Sequence, residues 1–246
     1  MDSRVYGIVY GCLVSGCDLD GLAVSYGVEL DTLKAILHQK IVRETMHNHH
    51  KIQTKTSQLK KQWEQGDSII NISKKINFPP VMTAWMILNA KGVPRSQFRA
   101  MVRKPEALLD TRLRRELSAA VKKDAVYSPE ATKKQMERSR MVEETVRHWL
   151  LKRKIAFIDE KEAKEKKHAK TPEFLLKKPM QYGDEKIHWV ECKASFGDEF
   201  EARRDYGKQL KYYVEMYGRG MVVYWYGFLD TLKMKDVRIT SSRDII

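Results

Sequence analysis

Hydrophobic and polar positions change their spacing part-way along this 246-residue chain. Up to about residue 157 the apolar positions recur every three or four residues, which is the period of a helix that buries one face. Beyond that point, short runs rich in Val, Tyr, Trp and Phe are typical of strands. The pattern predicts an all-helical first region, residues 1–127, and a second region, residues 128–246, of the α/β class.

The first region contains a segment, LDGLAVSYGVELDTLKAILHQKI, whose spacing predicts a helix-turn-helix unit. Ala23, inside the first helix, leaves room for the second helix to approach. Gly27 supplies the positive φ that a tight turn needs. Leu33 and Ile36 then provide the apolar face of the second helix. Helical hairpins in ordinary cores show the same spacing, and helix-turn-helix folds also serve as protein-interaction modules. We expect the helix-turn-helix units of residues 1–127 to be the part of the chain that docks DNA.

A second helical pair is predicted in SIINISKKINFPPVMTAWMILNAKG. The turn falls at Asn77, and Pro79 and Pro80 begin the next helix, where a missing N–H costs least. Three histidines lie between the two pairs: His47, His49 and His50. Since no carboxylate or thiolate shares their spacing, a polar helix end or linker is favoured over a metal site.

The second region begins with a helix that Ser128 caps and Pro129 starts, SPEATKKQMERSRMVEETVRHWLLKRKIAF. The stretch KEAKEKKHAK, residues 161–170, predicts a charged surface loop. Three strands are predicted in TPEFLLKKPM, HWVECKAS and GMVVYWYGFL. The segment EFEARRDYGKQLKYYVEMYG predicts a helix between the second and third of them.

The second strand places Glu191 and Lys193 on one face, because side chains alternate along a strand. A turn signal at 181–184 predicts an antiparallel hairpin in which paired residue numbers sum to about 364 to 367, so that Glu173 lies opposite residues 191–194. Two carboxylates repel unless a cation joins them, and oxygen ligands suit Mg²⁺ or Mn²⁺. A surface hairpin with an ordinary Glu–Lys cross-strand pair fits the same spacing.

The charge balance favours a polyanionic partner. Lys and Arg number 46 against 32 Asp and Glu, a formal net charge of +14. Nucleic acid is the default expectation, although some ribosome-associated and membrane-surface proteins are equally basic. No apolar run is long enough to span a bilayer, and the first residues lack the basic start of a signal peptide. Three cysteines without C-x-x-C spacing predict a reducing intracellular setting, cytoplasm or nucleus.

The residues TPEF, then WVECKASFGDE, then a helix with Gln209 and Tyr213 together resemble the PD-(D/E)XK nuclease superfamily. The resemblance is closest to its T-P-D motif branch, to which the codanin-interacting nuclease belongs. VVYWYGF and INFPPVMTAWMIL are similar to that branch as well. The resemblance implies a restriction-endonuclease-like domain with a mixed central sheet. It also implies a metal-dependent deoxyribonuclease, structure-specific or not, that leaves a 5′-phosphate and a 3′-hydroxyl.

The resemblance implies a role for each site residue. The metal ligands, for Mg²⁺ or Mn²⁺, would be Glu173, Glu191 and the main-chain carbonyl of Cys192. Lys193 would position the attacking water and steady the charge on phosphorus. Glu143 on the preceding helix would complete the set, with Glu144 as the fallback, because the two point about 100° apart. Gln209 and Tyr213 would support the site or contact phosphate.

One departure from the family motif bears on activity, since Glu173 stands where the motif has Asp. The extra methylene moves the carboxylate outward, so a DNA-binding or protein-partner scaffold on a weakened nuclease fold is the alternative function. A homodimer, a protein partner and an RNA substrate also stay open.

Candidate nucleic-acid contacts are basic residues at helical spacing. Three of them would share one face of the last helix: Arg204, Lys208 and Lys211. Tyr213 and Lys34 are further candidates. A solvated basic face explains the same spacing.

Overall fold

The computed structural model describes residues 1–14, 16–160, 162 and 170–246. The chain divides into two compact units, unit 1 with residues 1–37 and 137–246, and unit 2 with residues 38–136. This division differs from the expected boundary before Ser128, because the first 37 residues group with the sheet. Most of the predicted loop at 161–170 lies outside the described residues. None of the helices described is both long and apolar enough to cross a membrane.

Unit 2 is helical. Its helices are the later part of α3 (Leu30–Gln53), α4 (Thr56–Glu64), α5 (Ile69–Lys75), α6 (Pro80–Ala90), α7 (Arg95–Arg103), α8 (Thr111–Lys123) and the start of α9 (Pro129–Lys152). The predicted cap at Ser128 is confirmed, and Ser68 caps α5 in the same way. The Ser68 hydroxyl accepts from the Asn71 N–H, and Ser128 accepts from the Ala131 N–H. Asn77 has a positive φ of 47° at the turn.

Helix α6 forms the centre of unit 2. Its buried residues are Val81, Thr83, Ala84, Met86, Ile87 and Leu88. Apolar side chains of α4, α5, α7 and α8 complete the core around it, among them Trp63, Ile72, Phe98 and Leu117. The histidines His47, His49 and His50 lie within α3, which continues as a regular helix to Gln53 rather than ending in a linker.

Unit 1 is built on a five-stranded mixed sheet. Its strands are β1 (Phe157–Asp159), β2 (Phe174–Tyr182), β3 (Glu185–Lys193), β4 (Gly220–Tyr224) and β5 (Val237–Ser241), and their order in the sheet follows the chain. The first three strands are antiparallel, and β4 and β5 run parallel to β3. The three predicted strands are confirmed. The sequence analysis did not predict β1 and β5, which are short and lie at the two edges.

The β2–β3 hairpin has the predicted register. Phe174 pairs with Val190, a sum of 364, and Tyr182 pairs with Glu185, a sum of 367. The register shifts between Leu175 and Met180, as in a bulge, which accounts for both sums. This pairing places the residue before β2, Glu173, beside Glu191 of β3.

Helices cover both faces of the sheet. On one face, Val146, Trp149 and Leu150 of α9 pack on the core of β2, β3 and β4. Met141 of the same helix lies outside this apolar stripe, since its exposed fraction is 47%. The other face carries α10 (Glu199–Asp205), a π-helical segment (206–210) and α11 (Lys211–Tyr217). In the predicted single helix, the π segment is an interruption that widens one turn.

The first helices are part of unit 1 rather than a separate region. Helix α1 (Ser3–Cys12), helix α2 (Leu19–Tyr26) and the start of α3 share a core with Phe196 and Leu229. The main-chain nitrogen of Met1 donates to the Phe228 carbonyl at 2.7 Å, and the Thr32 hydroxyl donates to the Tyr226 carbonyl at 2.9 Å. The predicted turn is confirmed at Gly27, whose φ is 61°.

Candidate active site

A buried ion pair lies at the end of β3. The Lys193 ammonium donates to Glu191 Oε1 at 2.8 Å and to Gln209 Oε1 at 2.7 Å. Glu191 Oε2 accepts the main-chain N–H of Glu173 at 3.2 Å. The Glu191 side chain is only 4% exposed and that of Lys193 is 18% exposed. The structure therefore brings together four of the residues that the sequence analysis singled out.

The surrounding elements hold this pair in place. Alternation along β3 directs Glu191 and Lys193 to the face that α10 and α11 cover. The π-helical segment carries Gln209 to Lys193. One turn further on, the Tyr213 hydroxyl donates to the Thr171 carbonyl at 2.8 Å, which ties the segment before β2 to α11. A π-helical turn inside an α-helix is often found at functional sites.

Carboxylates crowd one another around the pair. Burial, together with the negative charges of Glu191, Glu143 and Glu160, raises the pKa of Glu173 to about 8 against the opposing effect of Lys193. Burial also raises the pKa of Glu191, in spite of its ion pair. The pKa of Glu143 is raised by burial and by Glu160. Protons or a cation would relieve this repulsion.

Several carboxylates, and not Glu191 alone, stabilise the positive charge of Lys193. Burial by itself would lower the pKa of Lys193, but the carboxylates of Glu191, Asp205 and Glu173 outweigh it and raise the pKa. Asp205 also accepts a hydrogen bond of 3.0 Å from the Tyr224 hydroxyl. Lys193 is therefore a fixed positive charge at neutral pH.

Other side chains at the site are held in their neutral forms. Burial raises the pKa of the Cys192 thiol well above its ordinary value, and the charges of Glu191 and Glu173 raise it further. A thiol with a raised pKa is a poor nucleophile. Burial raises the pKa of Tyr213 as well, with the same two carboxylates adding to the shift. The role expected for Cys192 at a metal site is that of its main-chain carbonyl, and the protonated thiol takes no part in it.

The two candidate acids of α9 have different surroundings. Glu144 is 59% exposed and pairs with Arg147 at 3.5 Å and with His148 at 3.4 Å. Glu143 is half-buried, and its charge raises the pKa of Glu173. Glu143 is thus the acid that the fold directs towards the site.

The carboxylates at the site are of the ligand type that a divalent cation prefers, but they are not arranged as a complete metal site. In the part of the chain that is described, no three His, Cys, Asp or Glu side chains are placed to hold a metal ion. Mg²⁺ keeps several waters and is usually bound through only one or two carboxylates. Glu173 and Glu191 meet that smaller requirement, because a cation between them would offset the repulsion that raises the pKa of Glu173.

Most of the candidate nucleic-acid contacts are paired with neighbouring acids. Arg204 is engaged by Glu201 and by Asp205, and Lys211 lies 3.7 Å from Glu215. The π-helical turn between these basic residues interrupts the α-helical spacing that placed them on one face. Lys34 pairs with Asp31 at 3.0 Å on an exposed surface. Lys208 is exposed.

Two acids near the site were missed by the sequence analysis. Glu160 follows β1 directly and raises the pKa of both Glu143 and Glu173. Its only sequence signal is its place after the apolar run that ends in Phe157-Ile158, and that run was assigned to the helix before it. Asp205 has no local signal, because the fold alone brings it near Lys193.

Comparison with known families adds to this geometry. A family model described as "Protein of unknown function TPD sequence-motif" matches residues 109–244, which is more than half of the chain. The chain belongs to the TPD sequence-motif family. At the motif itself, this member of the family reads Thr171, Pro172, Glu173.

Curated relatives are similar to this chain over two thirds of its length or more. The CDAN1-interacting nuclease 1 of Danio rerio is 25% identical over 208 residues, 79% of this chain and 69% of that protein. The proteins of the same name from Mus musculus and Homo sapiens are 30% and 29% identical over 171 residues, 67% of this chain and 61% of theirs. No solved structure matches the chain. The family relation to the codanin-interacting nuclease, expected from the motifs, is confirmed.

Proposed function

We propose that this protein is a metal-dependent nuclease that hydrolyses phosphodiester bonds in DNA, with a site of the PD-(D/E)XK type on a restriction-endonuclease-like sheet. The supporting observation is the buried Glu191–Lys193 pair, which Gln209 and the Glu173 main-chain N–H hold in place. The Glu173 carboxyl is near enough for the charge of Glu191 to raise its pKa. Strongly shifted carboxylates next to a fixed cation are typical of catalytic sites. The names of the curated relatives agree with this proposal.

The residues divide the chemistry between them. When bound by Glu173, Glu191 and the Cys192 carbonyl, Mg²⁺ or Mn²⁺ would polarise the phosphoryl oxygen and lower the pKa of a bound water. Lys193 presents positive charge where negative charge develops on the phosphoryl group. Gln209 holds the Lys193 ammonium at 2.7 Å, so its position is set before substrate arrives.

The first test is a cleavage assay. Labelled single-stranded, duplex, flap and junction DNA, and a matching RNA, are incubated with the full-length protein in Mg²⁺, in Mn²⁺ and in EDTA. We expect metal-dependent cutting that Lys193→Ala abolishes. Lys186→Ala is the matched control, because Lys186 is an exposed lysine on the same strand. Equal cutting by both variants would remove Lys193 from the mechanism.

A second candidate function is a binding scaffold on a weakened nuclease fold. The observation that favours it is Glu173, which replaces the motif's Asp and whose pKa of about 8 leaves it mostly protonated at neutral pH. The relatives are named for interaction with CDAN1, which favours a protein partner. If the wild type binds DNA without cutting it while Glu173→Asp cuts, the scaffold is the correct function.

A further inference from the structure

Nearly all of the net positive charge lies in unit 2. Residues 38–136 contain 20 Lys and Arg against 8 Asp and Glu, a net charge of +12 out of +14 for the whole chain. Unit 1, which holds the candidate active site, is close to electrical balance. A basic domain attracts nucleic acid through counterion release. The attraction of this protein for a polyanion therefore comes mainly from the helical unit.

The second predicted helical pair does not expose a helix that could read DNA. Helix α6 is the second helix of that pair, and most of its side chains form the core of unit 2. Only Asn89 among its residues is classed as exposed, and Trp85 is half-buried. A helix that enters a groove must offer several side chains to the bases. The contact has to use another surface of the unit.

Helix α7 offers such a surface. Phe98 and Val102 anchor it to the core. Arg95, Arg99 and Arg103 recur every fourth residue and are exposed, about 6 Å apart along the helix axis at 1.5 Å per residue. The helix RSQFRAMVR contains no acidic residue.

The three arginines do not make the stabilising contacts within the protein that arginines of α8 make. Arg112 donates to Glu116 and to main-chain carbonyls, and Arg114 donates to the Leu108 carbonyl. No ion pair or side-chain hydrogen bond joins the guanidinium group of Arg95, Arg99 or Arg103 to any residue that the structure describes. Arg95 lies 5.8 Å from the ring centre of Trp85, which supports its guanidinium without neutralising it.

The chemistry of this stripe matches phosphate. A guanidinium presents a planar fork of donors that bind phosphate oxygens in pairs. Successive phosphates of a duplex strand rise about 3.4 Å along the axis, so two steps come close to the spacing of the arginines. Contacts of this kind position a protein on DNA without reading its sequence.

We propose that the exposed face of α7, formed by Arg95, Arg99 and Arg103, is the surface on which unit 2 holds the phosphate backbone of duplex DNA. The inference rests on the proposed function in taking DNA as the substrate. It departs from the sequence analysis, which assigned DNA contact to the helix-turn-helix pairs.

The test compares two triple variants of the full-length protein that lose the same charge. One is Arg95→Gln with Arg99→Gln and Arg103→Gln. The other is Lys51→Gln with Lys61→Gln and Lys74→Gln, which are exposed lysines on α3, α4 and α5. Affinity for a labelled duplex is measured in EDTA over a series of salt concentrations. Circular dichroism confirms that each variant is folded.

We expect the α7 variant to reduce the slope of log affinity against log salt by about 2.7, since each phosphate contact contributes about 0.9. The lysine variant should change the slope by less than about 1. The loss should be equal for two unrelated duplex sequences. Replacing the same three arginines with lysine should keep the slope, because the charge remains.

The outcomes separate this inference from the nuclease proposal. Equal slopes for the two triple variants, or no duplex binding by the wild type, would overturn the α7 surface. If the wild type cuts DNA and the α7 variant binds as tightly as the control, the nuclease stands and the α7 surface fails. If binding depends on α7 but Mg²⁺ and Mn²⁺ support no cutting, the α7 surface stands and the nuclease fails.

Discussion

Two glutamates, one buried in unit 2 and one half-buried in unit 1, have opposite surroundings. In unit 2, Glu116 accepts hydrogen bonds from the Trp63 indole and the Ile69 N–H at 2.9 Å each, and from Arg112 at 2.8 Å. In unit 1, Glu173 is crowded by other carboxylates and its pKa is raised to about 8. A buried carboxylate surrounded by donors belongs to the architecture, whereas one surrounded by like charges indicates a functional site.

A second carboxylate of unit 2 follows the same rule as Glu116. Asp124 accepts from three main-chain N–H groups, those of Val81, Val126 and Tyr127, at 2.7 to 3.0 Å. It fixes the start of α6 to the segment that follows α8. Burial alone would have placed Asp124 and Glu191 in one class. They differ in that Asp124 accepts from main-chain N–H groups, whereas Glu191 accepts from one such group and from the Lys193 ammonium.

The largest expected effect is on activity. Glu191→Gln should lower the cleavage rate by roughly 100-fold or more, a loss of the order seen when a charge-stabilising group is removed. Circular dichroism at the assay temperature checks that the variant is folded, because the change leaves the Lys193 ammonium without its nearest carboxylate. Glu116→Gln should leave cleavage intact. A Glu191→Gln protein that cuts at the wild-type rate would contradict the assignment.

Removing the buried carboxylate of Glu116 should lower the stability of the protein rather than its activity. Glu116→Ala leaves the donors of Trp63, Ile69 and Arg112 without their acceptor and should cost about 3 kcal/mol of unfolding free energy. The melting temperature, measured by circular dichroism, should fall by about 6–12 °C. The control is Glu130→Ala, whose exposed ion pair with Lys134 should make no measurable difference. Equal melting temperatures for the two variants would show that Glu116 is not structural.

The raised pKa of Glu173 predicts a pH-dependent stability in EDTA. Its folded pKa, about 8, exceeds the ordinary value of 4.5, so the stabilisation from protonation is complete below pH 4.5 and is lost as pH rises through 8. Glu173→Gln should therefore stabilise the protein by about 1–2 kcal/mol at pH 9, after allowance for partial exposure, and by much less at pH 4.5. Chemical denaturation at both pH values measures the difference. The same increment at both would contradict the electrostatic explanation.

The smallest expected effect is a change in stability at a turn that contains neither Glu116 nor Glu173, and the larger effects can be compared with it. Gly27 has a φ of 61° between α2 and α3, and Gly27→Ala should cost about 1 kcal/mol because a side chain disfavours this conformation. Gly7→Ala, inside α1 with open space around the new methyl group, should be neutral or slightly stabilising. Urea unfolding of both variants measures the difference. A neutral Gly27→Ala would show that the turn is not strained.

Much of the local structure was predictable because its signals lie close together in the chain. Ser68 and Ser128 begin helices by accepting the nearby N–H groups that the chain leaves open. The hairpin register followed from one turn signal and from the alternation that places Glu191 and Lys193 on one face. The predicted register also placed Glu191 and Lys193 next to Glu173 before the structure was known.

The parts that could not be predicted depend on contacts between distant segments. Strand β1 has only three residues, and β5 is as long as β4 but lacks its continuous apolar run. Each pairs with the neighbouring strand at one edge of the sheet. The π-helical turn that delivers Gln209 to Lys193 looks like ordinary helix in the sequence.

The sequence by itself determined the helices, the central strands and the pair of residues at the end of β3, because periodicity and turn chemistry act over a few residues. Only the tertiary structure decided that residues 1–37 join the sheet unit, that Asp205 and Glu160 lie near the site, and that α6 is buried while α7 is exposed. The physical reason is that burial and electrostatic crowding are set by what packs against a side chain. Those neighbours come from parts of the chain that no local pattern connects.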